Sequence, residues 1–200
     1  VSDERHNRYQ LSLRFLANYT KTFADVHNLH VLYGMEQESY RNYKSVAKRA
    51  NLISDALPDV SLGSASNQYA DGEPEAWGIN SFFGRINYGY KDRYLLEANI
   101  RTDGSSRFAK GNKWGVFPSV SAAWRISEEA FMENVEFIDN LKLRASWGQT
   151  GNERIPTDVG RFLYLPQYNP ENVVMNGSLV TGVYQKKMAN PALTWETVES

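Results

Sequence analysis

The chain has 200 residues, with 22 basic and 23 acidic side chains and a net charge of −1. That balance gives no field that would gather nucleic acid. The absence of cysteine removes disulfides and thiolate metal sites. No run of 18 apolar residues occurs, which excludes a transmembrane helix. It does not exclude a membrane barrel, whose strands alternate and average out as hydrophilic.

Aromatic residues make up 13% of the chain, with 12 Tyr, 9 Phe and 5 Trp, as expected of a barrel with aromatic girdles. No signal peptide opens the chain. Both ends, "VSDERHNRYQLSL" and "NPALTWETVES", read as cut at a strand, as in a fragment of a longer protein.

Period two dominates from the start. A first strand covers Tyr9 to Tyr19, with Tyr9, Leu11, Leu13, Phe15, Ala17 and Tyr19 on one side. "TKTFADVHN" turns the chain, and a second strand carries Leu29, Val31, Tyr33 and Met35 on its apolar side. "NYKSVAKRANLISDAL" reads either as an extension of that strand or as a helical turn. "PDVSLGSASNQYADGEPEAWG" is rich in Gly, Ser, Asp and Pro and reads as loop.

The next two strands form a hairpin in "RINYGYKDRYLLEANIR". Ile86, Tyr88, Tyr90, Tyr94, Leu96, Ala98 and Ile100 fall on one side; Arg85, Asn87, Gly89, Leu95, Glu97, Asn99 and Arg101 fall on the other. A three-residue loop, Lys91 to Arg93, keeps one side apolar by pairing Tyr90 with Tyr94, Tyr88 with Leu96 and Ile86 with Ala98. It also sets Arg85 opposite Asn99, a start for a cross-strand polar ladder.

"TDGSSRFAKGNK" reads as loop. A fifth strand runs Trp114 to Ile126, with every even residue apolar and the odd ones mostly small or polar. At roughly 3.3 Å per residue it spans about 43 Å, or about 33 Å at a 40° tilt, enough for an apolar band of about 25 Å. Pro118 lacks an N–H and implies a bulge or a gap in the ladder.

"SEEAFMENVEFIDN" reads as one short helix near 128–138, capped by Ser127, with Phe131, Val135 and Ile138 on its inner stripe. Glu128 and Glu129 are helix-start charges there. A sixth strand covers Leu141 to Trp147, Gly148 to Ala192 is irregular, and a seventh strand starts near Leu193. The connections alternate in length, about seven, forty, three, eleven, thirteen and forty residues, in the manner of outer-membrane barrels with short turns on the periplasmic side and long loops outside.

"SFFGRINYGYKDRYLLEANIRTDGSSRFAKGNKWGVFPSVSAAWRISEEAF" followed by "LKLRASWGQTGN" closely resembles the barrel of SusC/RagA-type TonB-dependent transporters. "HNLHVLYGMEQE" and "NPALTWETVES" are similar to the same family. The likeness is sharpest in residues 81–152 and weaker in 42–78 and 153–187. It implies an all-β, antiparallel up-and-down transmembrane barrel in the bacterial outer membrane. Residues 1–200 would form about seven strands of one barrel domain, with the plug domain and the remaining strands outside this chain.

The resemblance also implies import of nutrients such as oligosaccharides or peptides. The expected partners are outer-membrane lipid, the transported ligand and, through the full-length parent, a SusD-like surface lipoprotein and TonB. No nucleic acid, enzyme activity or cofactor is expected. In that setting "NYT" and "NGS" carry no meaning as glycosylation acceptors.

Three sets of candidate residues follow. The lumen-facing polar wall is Arg85, Asn87, Glu97, Asn99, Arg101, Arg125 and Arg144, with Lys142 beside them. The lipid-facing set is Ile86, Tyr88, Leu96, Ile100, Val120, Trp124, Leu143 and Trp147. Loop aromatics Tyr69, Trp77, Phe108, Tyr164, Tyr168 and Tyr184 are candidates for stacking on a ligand; their blander role is loop packing. His27 and His30 lie three apart, which on a strand sends them to opposite faces and makes a shared metal site improbable. Two other readings compete with the importer: a soluble β-sandwich carbohydrate-binding module, and a secreted enzyme for which no catalytic motif is present. The sandwich requires the Trp114, Val116, Val120 and Trp124 row to pack beneath a second sheet.

Overall fold

A computed structural model describes the chain except residues 53–55, 57–58, 134, 136, 154 and 156–161. Among the described residues there are nine strands: β1 (Ser2–Phe23), β2 (His27–Arg49), β3 (Gln68–Tyr90), β4 (Tyr94–Ser105), β5 (Trp114–Arg125), β6 (Lys142–Asn152), β7 (Gln167–Met175), β8 (Ser178–Lys187) and β9 (Glu196–Glu199). Seven of them form one sheet in the order β1-β2-β3-β4-β5-β6-β9, while β7 and β8 form a separate hairpin. The large sheet is open, with β1 and β9 at its ends.

The chain divides into two compact units, residues 1–13 with 37–78 and residues 14–36 with 79–200. In the first, strand ends are tied by polar contacts. The Lys44 ammonium meets Glu4 at 2.9 Å, Gln10 Nε2 donates to Glu38 Oε1 at 2.6 Å, and Tyr40 stacks on Trp77 with ring centres 5.4 Å apart. In the 50–67 connection, Asp59 caps a single 3-10 turn, Val60–Leu62, by accepting from the Ser61 N–H.

The second unit carries the hairpin that period two predicts. Tyr90 pairs with Tyr94, Tyr88 with Leu96, Ile86 with Ala98 and Arg85 with Asn99. Its turn closes with the Arg93 N–H on the Tyr90 carbonyl at 3.0 Å, and both central residues take positive φ, Lys91 at 51° and Asp92 at 55°. The turn between β1 and β2 repeats this geometry: Val26 N–H bonds to the Phe23 carbonyl, with Ala24 at 46° and Asp25 at 58°. Primed turns of this kind follow the right-handed twist of the strands they join. The two turns are laced together, Lys91 N–H to the Val26 carbonyl at 2.7 Å and Asn28 Nδ2 to Asp92 Oδ1 at 3.0 Å.

Register continues without a slip through β5 and β6: Ala98 meets Val120, which meets Trp147; Tyr94 meets Trp124, which meets Leu143. Pro118 sits in this register opposite Ile100. No bulge forms, because the β5–β6 ladder starts one residue later at Ser119 and Gly148. The proline thus falls at the end of that ladder, where a missing N–H breaks no bond to β6.

Of the two readings of "NYKSVAKRANLISDAL", strand extension is the one found, since β2 runs to Arg49. Other expectations are corrected. β3 starts at Gln68, so the residues Gln68 to Gly78 are strand and not loop. The region 148–192 contains the β7–β8 hairpin, whose turn is Asn176-Gly177 with φ of 52° and 76°. Asn-Gly is the strongest short hairpin signal, and it was open to view. In place of the helix near 128–138 stand two 3-10 turns, Ile126–Glu128 and Ala130–Met132. Residues 134 and 136 lie outside the described residues. Ser127 caps nothing, and Phe131 is 65% exposed instead of lining an inner stripe.

Where, then, is the core? Among the described residues the buried side chains are Phe117, Phe108, Ala109, Ser81, Asp103 and Ser105. Phe117, Ser81, Asp103 and Ser105 belong to the Arg85 face of the sheet, not to its apolar face. Trp195 caps this cluster, 5.4 Å from both the Phe117 and Phe108 ring centres, and its Nε1–H donates to the Lys113 carbonyl. Gly115 and Gly151 make room for it. A Cβ at Gly151 would strike the Phe117 ring, and one at Gly115 would also meet Trp195 at 2.9 Å.

Gly151→Val is therefore expected to destabilise the folded full-length protein by about 1–3 kcal/mol, read as a lowered Tm in detergent. Gly151→Val with Phe117→Ala is expected to recover part of that loss. An unchanged Tm for the single variant contradicts the packing.

Candidate functional site

Along β3 to β6 one face of the sheet is almost wholly apolar and the other carries most of the charged and amide side chains. On the first, Ile86, Tyr88, Leu96, Ile100, Val116, Val120, Leu143 and Trp147 are all between 38% and 62% exposed. Trp114 is 52% exposed. Half exposure is what remains to a strand residue flanked by neighbours and covered by nothing. Among the described residues no second sheet lies on this row, so nothing here favours the sandwich. A shallow apolar groove lies among Tyr88, Leu96, Ala122, Trp124, Leu143 and Ala145.

Aromatic rings bound this face at two levels. Near the turns, Tyr90, Tyr94 and Trp124 stack in a row, with the last two rings tilted by only 8°. Toward the far end of the strands, Phe82 stacks on Trp114, 6.1 Å between ring centres. Trp114 and Trp124 are the even residues at the two ends of β5. At roughly 3.3 Å per residue they stand about 33 Å apart along the strand, or about 25 Å when tilted by 40°. That is the height of the apolar band of an outer-membrane barrel. Rings at both edges with Val116, Pro118, Val120 and Ala122 between them have the order of girdle, hydrocarbon and girdle.

The turn-side girdle is pinned by one carboxylate. Glu129, the residue that ends the first 3-10 turn, accepts from Tyr94 Oη–H at 2.7 Å and from Trp124 Nε1–H at 3.0 Å, both on Oε1. Its Oε2 takes Arg93 Nη1–H at 3.1 Å. These donors, the Tyr94 hydroxyl first, then the Trp124 indole and the Arg93 charge, hold the Glu129 carboxyl below its ordinary pKa. Glu128 pairs with Arg125 at 3.2 Å.

The opposite face carries a groove of about 650 Å³, lined among others by Arg14, Glu36, Arg85, Asn99, Arg101 and Asp103. Its side chains are ordered by one another. Arg14 Nη2 meets Glu36 Oε1 at 2.5 Å. Arg101 grips Asp103 through Nε at 2.8 Å and reaches Ser81 Oγ through Nη2 at 2.9 Å, while its guanidinium lies over the Phe83 ring. Arg85 Nε–H donates to Asn99 Oδ1 at 2.7 Å. Asn99 is oriented in turn, because its Nδ2 donates to Glu97 Oε1 at 2.9 Å and Ser119 Oγ at 3.3 Å. The cross-strand ladder is thus present.

The structure brings Arg85, Asn99, Glu97 and Arg101 together on one surface. Asn87 stands beside them, 3.4 Å from the His30 ring. Arg125 lies at the turn end, engaged with Glu128 and the Asp92 carbonyl. Arg144 shares the face, opposite Ala123. Arg14 and Glu36 join the groove from β1 and β2; alternation marked their side of the strand, but no local motif distinguished them. His27 Nδ1 meets Tyr88 Oη at 2.7 Å and lies against the Tyr90 ring, so it belongs to the girdle. Among the described residues no group of three His, Asp or Glu side chains could hold a metal ion.

The aromatic candidates scatter. Tyr69 and Trp77 lie in β3 rather than in a loop; Tyr69 donates to Asp71 at 2.9 Å beneath the Lys48 ammonium, and Trp77 stacks on Tyr40. Phe108 is 1% exposed and offers no ring face to a ligand. Tyr164 meets Phe162 edge-on. Tyr168 and Tyr184 belong to the β7–β8 hairpin, and Tyr168 is 58% exposed.

An antiparallel sheet with one bare apolar side, two aromatic belts and an ordered polar side defines the wall of a membrane β-barrel. The family model described as TonB dependent receptor-like, β-barrel, matches residues 2–200, and the chain belongs to that family. Its members are transporters and receptors of the bacterial outer membrane, not enzymes.

TonB-dependent receptor P26 of Formosa agariphila is 49% identical over 122 residues, 61% of this chain and 12% of that protein. TonB-dependent receptor SusC of Bacteroides thetaiotaomicron is 34% identical over 197 residues, 97% of this chain and 19% of that protein. The RagAB peptide transporter structure superposes with a TM-score of 0.87 at 25% identity, over 98% of this chain and 21% of that chain. The chain therefore spans less than a fifth of the curated relatives named here.

Because Glu129 is held below its ordinary pKa, its contribution to girdle order is present above the ordinary carboxylate range and is lost as pH falls through the lowered value. Trp124 fluorescence in the folded full-length protein is expected to hold steady from neutral pH through the ordinary carboxylate range and to change only below it. Glu129→Gln should flatten that acid transition. A Trp124 signal in the wild type that already shifts between pH 5 and 6 contradicts the clamp.

Proposed function

We propose that this chain is a stretch of the wall of a TonB-energised importer that carries oligosaccharides or peptides across the outer membrane. The observation that supports this best is the bare apolar row between two aromatic belts, with ordered arginines and amides on the reverse. In this reading Ile86, Tyr88, Leu96, Ile100, Val120, Trp124, Leu143 and Trp147 face lipid. Arg85, Asn87, Glu97, Asn99, Arg101, Arg125 and Arg144 face the lumen, where an inward charge avoids the cost of about 2–4 kcal/mol that it would meet at the bilayer midplane. The turns at 24–26, 91–93 and 126–141 lie on the periplasmic side; the connections 50–67, 106–113 and 153–195 lie outside.

Residues 1–200 are then one part of a single barrel domain that continues through further strands and encloses a plug. A SusD-like lipoprotein covers the outer mouth, and TonB acts through the full-length protein. The wall's task is to close the sheet, so that no strand edge meets hydrocarbon, while outer connections such as the β7–β8 hairpin meet the ligand. Tyr168, the most exposed of the aromatic candidates with a ring to offer, is the first of them to test.

The function is tested by deleting the gene in its host and measuring uptake of labelled peptides and oligosaccharides. Uptake of at least one class is expected to fall to background, both in that strain and in one lacking TonB; uptake that survives loss of TonB contradicts the reading. The placement is tested by Val120→Arg and Ser121→Arg in the full-length protein. Val120→Arg is expected to lose about 2–4 kcal/mol of folding stability in lipid vesicles, and Ser121→Arg less than 1 kcal/mol. Equal losses would contradict the lipid-facing assignment.

A further inference from the structure

Three guanidiniums line the groove on the polar face, and they are not equivalent. Arg14 is neutralised by Glu36 at 2.5 Å, and Arg101 by Asp103 at 2.8 Å. Arg85 is held by neither. Its Nε–H is spent on the neutral Asn99 Oδ1, and no carboxylate of the described residues lies within ion-pair distance of it. The anchor is itself fixed: Glu97 and Ser119 take the two hydrogens' worth of direction from the Asn99 amide, which leaves its oxygen aimed at Arg85. A guanidinium tethered at Nε keeps its two terminal nitrogens as a free fork. That fork matches the two oxygens of a carboxylate, and a pair made this way is both stronger and more directional than one made by lysine.

We propose that Arg85 is a carboxylate-binding residue of the inner wall, with Asn99 as its positioning residue and Glu97 and Ser119 orienting Asn99. The occupant is a carboxylate supplied from outside this chain, by an acidic transported solute or by an acidic side chain of the plug. The groove leaves room for either, about 650 Å³ beside the fork. Its fixed pairs, Arg14 with Glu36 and Arg101 with Asp103, stay closed on themselves, and Glu97 reaches Arg85 only through the Asn99 amide, so the terminal nitrogens of Arg85 have no carboxylate of their own among the described residues. This rests on the lumen-facing reading of the wall, and it names a chemical class of partner for that surface.

The test uses the full-length protein in detergent and in vesicles, with the variants Arg85→Gln, Arg85→Lys and Asn99→Leu. Heat-modifiable migration on gels first reports whether each forms its barrel. A wild-type protein that forms none would fail the barrel reading itself, which separates that failure from failure of this proposal. Two arms follow. Binding of an acidic probe, the peptide Gly-Asp-Gly-Asp-Gly, is compared with that of Gly-Asn-Gly-Asn-Gly; hydrogen–deuterium exchange of the plug is compared between wild type and variants.

If the solute supplies the carboxylate, Arg85→Gln weakens the acidic peptide about tenfold or more, leaves the asparagine peptide unchanged, and Arg85→Lys restores only part. If the plug supplies it, peptide binding is unchanged, and plug exchange quickens in Arg85→Gln and, less, in Asn99→Leu. Folded variants that match wild type in both arms overturn the proposal.

Discussion

Everything in this structure depends on an apolar surface that none of the described residues covers. A sheet in water must bury one side on protein, because leaving it bare forfeits roughly 25 cal/mol for every Å² exposed. Here the continuous apolar side, from Ile86 and Leu96 through Val120 to Leu143, stays about half exposed. The small cluster that is buried, around Phe117 and Phe108, sits on the other side, among arginines and aspartate. The arrangement is inside-out for a soluble domain and ordinary for a membrane wall. On the proposed placement, lipid supplies what a second layer of protein would have supplied, and the belts of Tyr94, Trp124 and Trp114 mark where it ends.

The polar side follows from the same constraint. With no protein packed over them, its charges order one another across strands. Asn99 stands between Glu97, Ser119 and Arg85, and Arg101 bridges Asp103 and Ser81. Each such cross-strand contact contributes about 0.2–1 kcal/mol, too little to hold the sheet, but enough to fix which donors point outward. At the turn end Glu129 does the equivalent for the belt. It ties a tyrosine hydroxyl, an indole and an arginine to one carboxylate just where the chain leaves the strand.

The central hairpin was legible in the sequence to the residue, because one side had to stay apolar. Only a three-residue turn at Lys91 to Arg93 permits that, and the register from Tyr90–Tyr94 to Arg85–Asn99 follows from it. Where no apolar side is demanded, the signal fades. The start of β3 runs through Asp71, Gly72, Glu73 and Pro74. Its backbone pairing carries no amphipathic signature, so composition pointed to loop. The β7–β8 hairpin is announced by Asn176-Gly177, but its flanks, "QYNPENVVM" and "SLVTGVYQKK", carry no sustained alternation, so the sequence pointed to an irregular stretch. Phe131 and Val135 have a helical spacing, yet Glu129 is tied to Tyr94 and Trp124, and Ile126–Glu128 and Ala130–Met132 form two 3-10 turns instead.

Among the site residues, the shared face of the polar set and the Arg85–Asn99 pair were legible from alternation and register, while the groove's other pairings were not. Arg14 and Glu36 come from strands far from β4 in sequence, and nothing local announces that they share a groove with Arg101. Phe108 looked like a loop aromatic free to meet ligand; its burial depends on Trp195, far along the chain. The orientation of the wall is tested most directly by spin labels placed singly at residues 116, 120 and 122 and at 119, 121 and 123 of the full-length protein in lipid vesicles. The account predicts period-two accessibility, with the even sites relaxed by oxygen dissolved in hydrocarbon and the odd sites by a water-soluble nickel chelate. Even sites shielded from both reagents would mean that protein covers them, and would contradict it.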